Sequence, residues 1–299
     1  MRGESTGRYL ERLGFVRDRH FSVVGCPTLY TYGPELPPLA PPRRFERCAF
    51  HLNVRAPVAD RAFVVGCAES FRESHFVSQF EEEFRRFLLA DSRTPTPLID
   101  SDPGYVRLLR SLAEEGRLRF FLNRRPWMDF LSGMDFSIGH RIHGTLLSLL
   151  AGTPAAVVPF ESRTQELAAF HGLPVLSRER LGETPDWRAV LASLDYSEVR
   201  RHQSANFANW LAFLRENGLR TVFDGPDGPP PSREDYPLEL LSEKRHFDDD
   251  VRGPDFDSFP TRSRIRLALA TEHMKGKLRR IKNRIVRQFR TRPIAGPLG

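Results

Sequence analysis

The chain has 299 residues, of which 40% are hydrophobic and 28% are charged, and its formal net charge is +7. This composition is typical of a soluble globular protein with material for one large or two modest domains, and no apolar run predicts a membrane-spanning helix. The three cysteines lack Cys-x-x-Cys spacing, which argues against a disulfide framework or a zinc site, and the N-terminus lacks the apolar region of a signal peptide. We therefore expect a cytoplasmic protein.

The first 45 residues are expected to form a helix, a short strand and an extended connector. Residues 6–13 show helical spacing of apolar side chains and end at Gly14, a common helix stop. Residues 21–24 favour a short strand. Residues 34–42 contain five prolines, which favour an extended connector before the next domain.

Residues 46–220 are expected to form one domain in which strands and helices alternate. The predicted strands are 48–54, 62–65, 96–99, 118–122, 136–138, 155–160 and 175–176. The predicted helices are 77–89, 105–115, 127–131, 145–150, 164–170 and 197–217. Strands that are apolar on both faces and alternate with helices indicate an α/β fold, a Rossmann-like parallel sheet covered by helices. Such sheets bind ligands beyond the carboxyl ends of their strands.

One loop lies at such a strand end: Gly139-His140-Arg141-Ile142-His143-Gly144, which precedes the helix predicted from Thr145. Backbone N–H groups at a helix start lack intrahelical partners, so a phosphate or carboxylate is stabilised there. Arg141 can bind such an anion with its planar guanidinium, and His143 can exchange a proton near neutral pH. We therefore predict an anion site at this loop, including Gly144 and Thr145. The alternative is a solvated arginine beside a capping histidine.

Other polar residues near this loop have open interpretations. His140 is as readily a loop-packing residue as a ligand, and a zinc site at His140 and His143 lacks a third ligand at suitable spacing, so no metal is predicted. Arg163 and Glu166 lie at the start of the helix that follows the next apolar strand. They would either line the same edge of the sheet or form a surface salt bridge. Cys26 is expected to be buried rather than nucleophilic, because no basic partner is evident.

The C-terminal part is predicted to be a linker followed by a basic tail. Residues 221–260 are expected to be the linker, since 224–236 are rich in proline, glycine and charge, and residues 248–250 are expected to lie in a solvated acidic loop rather than bind a metal. Residues 262–292 contain twelve lysines or arginines and one acid. The tail therefore carries a net charge of +11, and the rest of the chain carries −4.

Within residues 261–299, apolar side chains recur every three to four residues: Met274, Leu278, Ile281, Ile285 and Phe289. This spacing predicts a basic amphipathic helix, which would either lie on an anionic membrane surface or pack on the protein body. Nucleic acid is not a predicted partner, because Phe289 alone offers an aromatic ring within the charged run.

Several stretches of the chain resemble the polysaccharide pyruvyl transferase family. The most specific is Arg141-Ile142-His143-Gly144 in its strand-loop-helix setting. The supporting stretches are Arg2-Gly3-Glu4-Ser5-Thr6, 10–14, 24–29, 127–139, 151–154, 162–167 and 171–174. Together they cover most of the chain before the linker.

The resemblance implies a fold similar to GT-B glycosyltransferases, in which two Rossmann-like domains face each other across a cleft. It implies that residues 1–45 are a remnant of the first domain, most of which is missing, and that residues 46–220 are the second. The implied activity is transfer of a pyruvyl group from phosphoenolpyruvate, without a cofactor, to two sugar hydroxyls as a ketal. The acceptor would be a glycan or lipid-linked saccharide in exopolysaccharide or cell-surface glycan synthesis.

The resemblance also implies roles for individual residues. Arg141 would clamp the anion, His143 would act as general acid, and Arg2 would be a second anion clamp. Two alternatives remain. One is a GT-B-type glycosyltransferase that binds a nucleotide sugar at the same loop, and the other is a non-catalytic remnant that binds a glycan or a partner protein at the inner face of the membrane.

Overall fold

Five parallel strands and one antiparallel edge strand form a single sheet in the part of the chain that the structure describes. This computed structural model describes residues 1–88 and 96–224, and the backbone alone of 250–252. The strands are β1 Arg47–His51, β2 Glu73–Ser78, β3 Leu118–Phe121, β4 Phe136–Gly139, β5 Ala155–Val157 and β6 Asp250–Arg252. Their order is β5-β4-β1-β2-β3-β6. The predicted parallel sheet is thus confirmed.

The direction in which strands are added to the sheet reverses between β1 and β4. β2 and β3 lie on one side of β1, whereas β4 and β5 lie on the other. Phe50 pairs with Ile138 and His51 pairs with Gly139, so the two strands end side by side. In doubly wound α/β sheets, ligands bind in the crevice that opens at this reversal, beyond the carboxyl ends of the strands. The loop after β4 lies at that crevice.

Helices cover both faces of the sheet. They are α1 Glu4–Arg12, α2 Val58–Glu69, α3 Glu81–Glu83, α4 Pro97–Asp100, α5 Pro103–Glu114, α6 Arg124–Ser132, α7 Ile142–Leu150, α8 Ser162–His171, α9 Arg178–Leu181, α10 Trp187–Ala192 and α11 Ser197–Glu216, with 3-10 turns at Pro27–Tyr30 and Val222–Asp224 and a π-helical turn at Phe84–Leu88. Side chains alternate along each strand, so Ala49 enters one core layer and Phe50 enters the other. Both layers are buried, which is why the strands are apolar on both faces.

The predicted strand at residues 62–65 is wrong, because these residues lie within α2. Phe63, Val64, Cys67 and Ala68 are all buried. These four residues are separated by one, three and one positions along the chain, which places them on one face of a helix. A strand would instead bury every second residue on one face. The four apolar residues 62–65 alone could not distinguish a short buried strand from one turn of a buried helix.

Three other predicted strands or loops also differ from the structure. Residues 21–24 are not a strand, since Phe21 makes only one bridge, to Arg17, and the N–H of Val24 donates to the carbonyl of Met1 at 2.8 Å. Residues 96–99 overlap the helical turn α4, which a proline at its first position favours. Asp250 begins β6, which pairs antiparallel with β3, and therefore does not lie in a loop.

Several element boundaries also shift. β1 ends at His51 rather than at residue 54, β5 ends at Val157, and Val175 contributes only a single bridge to it. The helix predicted over 77–89 begins at Glu81, because Val77 and Ser78 belong to β2. The helix predicted from Thr145 begins at Ile142, which places Arg141 at its N-cap and His143 in its first turn.

Several predictions fall on residues whose structure is not described. They concern the linker over 225–249 and 253–260 and the basic amphipathic tail over 261–299. Within residues 1–88 and 96–224, no helix is both long enough and apolar enough to cross a membrane.

Candidate active site

The loop after β4 is fixed to the end of β1 by His51. The backbone N–H of His140 donates to the carbonyl of His51 at 3.0 Å, and the N–H of Arg141 donates to Nδ1 of the same histidine at 3.1 Å. Burial, followed by the charges of His140 and Arg141, lowers the pKa of His51 to about 3. The imidazole is therefore neutral and serves as an acceptor that holds Arg141 at the crevice.

Two glycines allow this close approach of loop and strand. A Cβ atom on Gly139 would lie 1.9 Å from the carbonyl oxygen of His51, and a Cβ on Gly144 would lie 2.3 Å from Cδ2 of its ring. Gly144 also donates its N–H to the carbonyl of Arg141 at 3.0 Å. The structure thus gives Gly144 a packing role, which is separate from the ligand contact predicted for it.

Arg141 carries a half-buried positive charge into the crevice. Its guanidinium carbon lies 3.9 Å from the centroid of the Phe80 ring, and Nη2 donates to the carbonyl of Gln79 at 3.4 Å. Burial lowers its pKa, and the nearby Glu83 opposes that change. Among residues 1–88 and 96–224, no carboxylate oxygen lies within ion-pair distance of this guanidinium. Stacking fixes the cation, while its charge remains available to an anionic ligand.

His143 is the residue at which the predicted cations converge. It is half-buried in the first turn of α7, and burial and then the charges of Arg2, Arg163 and Arg141 lower its pKa. The three arginines come from the N-terminal segment, from α8 and from the loop after β4. The charges of all three predicted cationic residues thus act on one imidazole.

The N-terminal segment is joined to α8 by Glu166. Its carboxylate accepts the backbone N–H of Thr6 at 2.7 Å and the Thr6 hydroxyl at 3.1 Å, so it caps the first turn of α1. A Cβ on Gly3 would lie 2.0 Å from Cγ of Glu166, so this contact needs glycine. The contact fixes the start of α1, just after the exposed Arg2, and it occupies the Glu166 carboxylate.

Thr145 does not present its side chain to this site. It is fully buried in α7, and its hydroxyl oxygen has no hydrogen-bond partner among the residues that the structure describes. The contact of Thr145 with a ligand therefore stays a prediction. The structure starts α7 at Ile142, so Thr145 lies inside the helix rather than at its entrance.

Sequence reasoning missed a buried carboxyl group beside Arg141. Glu83 has no exposed surface; its carboxylate accepts the hydroxyl of Ser78 at 2.5 Å and that of Tyr105 at 2.7 Å. Burial raises its pKa to about 7, against the hydrogen bonds and the charge of Arg141, which lower it. No sequence pattern indicated this role, because Tyr105 lies on a different helix.

Sequence reasoning also missed the partners of Cys26. Cys26 is buried, as predicted. Its sulfur lies 3.9 Å from Nε2 of His143, a neighbour that the sequence did not reveal. Its backbone N–H donates to Nε2 of His171 at 2.8 Å. Among residues 1–88 and 96–224, no group of three or more histidine, cysteine, aspartate or glutamate residues could hold a metal ion.

The sheet order defines a doubly wound α/β protein that carries Arg141 and His143 at the reversal between β1 and β4. The model of the family described as polysaccharide pyruvyl transferase matches residues 1–162, which is more than half of the chain. The protein belongs to the polysaccharide pyruvyl transferase family, a family of transferases.

Comparison with solved structures returned a protein titled "Crystal Structure Analysis of the Glycotransferase of kitacinnamycin". It is 15% identical to this chain, with a TM-score of 0.29, and the match covers 62% of this chain and 46% of that one. This chain thus matches less than half of the length of that structure. No curated protein matches the sequence significantly.

Proposed function

We propose that the protein transfers a pyruvyl group from phosphoenolpyruvate to two hydroxyl groups of a glycan or lipid-linked saccharide, as a cyclic ketal. Family membership supports this reaction class. The observation that carries the proposal is the position of Arg141 and His143 at the start of α7 in the crevice, where the charges of Arg2, Arg141 and Arg163 all lower the pKa of the imidazole. This arrangement suits a small, multiply charged donor next to a proton-carrying group.

The donor has two anionic groups, a carboxylate and a phosphate. Arg141, held over Phe80, would pair with one of them, and the exposed Arg2 and Arg163 would pair with the other. The N–H groups of Ile142 and His143 precede the first hydrogen bond of α7, which Gly144 donates to Arg141, and they would add to the anion site. These contacts would place the enol carbon of the donor beside His143.

In the first step, one sugar hydroxyl adds to the enol carbon. Its oxygen bonds to that carbon and releases the hydroxyl proton to water, while the electron pair of the C=C double bond takes a proton from His143 at the methylene carbon. In the second step, the other hydroxyl oxygen bonds to the same carbon, its proton returns to His143, and the bond from that carbon to the phosphate oxygen breaks. The products are the ketal and inorganic phosphate.

Protonation of His143 would depend on the donor. In the free protein, burial and three arginines lower the pKa of His143 and disfavour the imidazolium. A bound dianion neutralises those arginines, so it raises this pKa and supplies the general acid when the substrate is present. The same charges would therefore both bind the donor and couple its arrival to proton uptake.

Calorimetric titration of the full chain with phosphoenolpyruvate and with a nucleoside diphosphate tests the donor class. We expect phosphoenolpyruvate to bind, and Arg141→Ala to weaken binding by roughly 10- to 100-fold, as for loss of charge-assisted hydrogen bonds. The control is Arg72→Ala, since Arg72 is exposed and precedes β2 at the opposite edge of the sheet.

Other outcomes of the same titration would contradict the proposal. Tighter binding of the nucleoside diphosphate, lost in Arg141→Ala, would favour a glycosyltransferase. Binding of neither compound would favour a non-catalytic glycan- or protein-binding role.

We also propose that the basic residues 262–292 attract the protein to an anionic membrane surface, where lipid-linked acceptors are held. Flotation of the full chain with vesicles that contain phosphatidylserine tests this. A variant with Lys275, Lys277, Arg279 and Arg280 replaced by glutamine should bind less. Equal flotation with neutral and anionic vesicles would contradict the membrane role.

A further inference from the structure

A cavity lined by arginines lies at the edge of the sheet opposite the crevice. Its volume is about 470 Å³, and it is lined by Arg43, Arg44, Phe45, Glu46 and Arg188. Residues 43–46 directly precede β1, and Arg188 lies in the first turn of α10. The crevice opens at the other end of β1, roughly 13 Å further along, at about 3.3 Å for each of four residue steps. The cavity is therefore separate from the candidate active site.

The segment before β1 is held to the protein body through its backbone and through one ring. The backbone N–H groups of Glu46 and Arg47 donate to the Asp135 carboxylate at 3.0 and 2.9 Å. The Phe45 ring stacks on the buried Phe71, with ring centroids 4.9 Å apart. A ligand would therefore meet a preformed wall, and little conformational entropy would be lost in ordering it.

The three arginines of the cavity keep their charge available. Arg43, Arg44 and Arg188 are exposed, and none of them forms an ion pair with another residue in 1–88 or 96–224. The guanidinium carbon of Arg188 lies 4.4 Å from the centroid of the Phe45 ring. This stacking restricts the side chain of Arg188 without neutralising it.

The acidic groups beside the cavity are occupied by other partners. Glu46 forms an ion pair with Arg72 at 3.3 Å. Asp186 accepts the backbone N–H groups of Arg188 and Ala189 at 3.1 and 3.2 Å, and thus caps α10. The cavity therefore keeps an excess of positive charge, although residues 1–261 together carry −4.

A phosphate monoester matches these features. It carries a charge of about −1.5 to −2 near neutral pH and three acceptor oxygens, so it can pair with two or three guanidinium groups at once. We propose that this cavity is a second anion site, which binds a phosphate monoester through Arg43, Arg44 and Arg188. A soluble phosphate ester and the head group of an anionic lipid both present this group. The inference does not depend on the proposed pyruvyl transfer.

Calorimetric titration with glycerol 3-phosphate tests the site in full-length Arg141→Ala protein, in which the crevice has lost its main cation. We expect binding, and the further double substitution R43Q/R44Q should weaken it by roughly tenfold or more, as for lost charge-assisted hydrogen bonds. The matched control is R107Q/R110Q, which removes the same charge from exposed positions on α5. Because the exchanged arginines are exposed, both double variants should fold as the parent protein does, which thermal unfolding checks.

Flotation with phosphatidylcholine vesicles that contain phosphatidic acid distinguishes the two sources of the phosphate group. If glycerol 3-phosphate does not bind but R43Q/R44Q floats less than R107Q/R110Q, the site takes a lipid head group. The basic residues 262–292 are the same in all variants, so they do not account for such a difference. Binding of neither the ester nor the vesicles, or equal effects of the two double substitutions in both experiments, would overturn the proposal.

Discussion

Nδ1 of His51, at the end of β1, accepts the backbone N–H of Arg141, at the start of α7, at 3.1 Å. The hydrogen bond crosses the point where the strand order reverses, so it ties together the two chain segments that form the crevice. His51 is 1% exposed and does not itself contact the crevice surface. It acts on the site through the position of Arg141.

Replacement of His51 by alanine should loosen this tie. The N–H of Arg141 loses its acceptor and the buried ring leaves a cavity, so we expect a loss of about 2–4 kcal/mol in the free energy of unfolding. Donor affinity should fall as well. Urea unfolding and calorimetry measure the two effects. The control His20→Ala alters an exposed histidine outside the crevice, and equal effects of the two substitutions would contradict this role for His51.

Gly144→Ala should destabilise the protein, because its Cβ would lie 2.3 Å from the buried ring of His51. The matched control is Gly66→Ala in α2, where the nearest atom to a Cβ is Nε1 of Trp187 at 3.8 Å. Alanine is favoured over glycine within helices by about 1 kcal/mol, so Gly66→Ala should be neutral or stabilising. Thermal unfolding of the two variants checks the difference, and a Gly144→Ala protein as stable as the wild type would show that the ring can move aside.

Acid should unfold the protein through its buried histidines. Burial lowers the pKa of His51 and His140 to about 3 and that of His171 to about 4. In the unfolded chain histidine binds a proton near pH 6.5. Unfolding therefore takes up protons between these values, and the free energy of unfolding should fall as the pH is lowered from about 6.5 to 4. Urea titrations at several pH values measure this slope, and stability that rises on acidification would contradict it.

Glu83 should oppose that trend. Its pKa in the folded protein is raised to about 7, above the usual value near 4.5, so the folded state holds a proton that the unfolded chain has released. This contribution to stability is full at low pH and is lost as the pH rises through about 7. Glu83→Gln should therefore be relatively more stable than the wild type at pH 8 than at pH 5. Glu82→Gln, an exposed neighbour, is the control, and identical pH profiles for the two variants would contradict the role given to Glu83.

The sequence predicted the position of the candidate loop in the fold because the signal for it is local. The strand, the Arg141 and His143 loop and the following helix are contiguous, and their order places the loop at the carboxyl edge of a parallel sheet. The apolar residues 62–65 were misassigned because four residues fit a buried strand and a helical turn equally well.

The residues that support the site could not be found in the same way. His51 lies 90 positions before Arg141, and Cys26 lies 117 positions before His143. Glu83 reaches Tyr105 across a separation of 22 residues. These contacts arise only when the sheet order brings distant strand ends together, and no periodicity within one element encodes them. A single sequence shows the local motif but not the groups that hold it.

The most direct measurement of the central claim is the pKa of His143, followed by NMR in the free protein and at saturating phosphoenolpyruvate. We predict that the donor raises this pKa, because it neutralises Arg2, Arg163 and Arg141, and that Arg141→Ala reduces the rise. The control Arg72→Ala should behave as the wild type. A pKa of His143 that is the same with and without bound phosphoenolpyruvate would contradict the assignment of this crevice as the donor site.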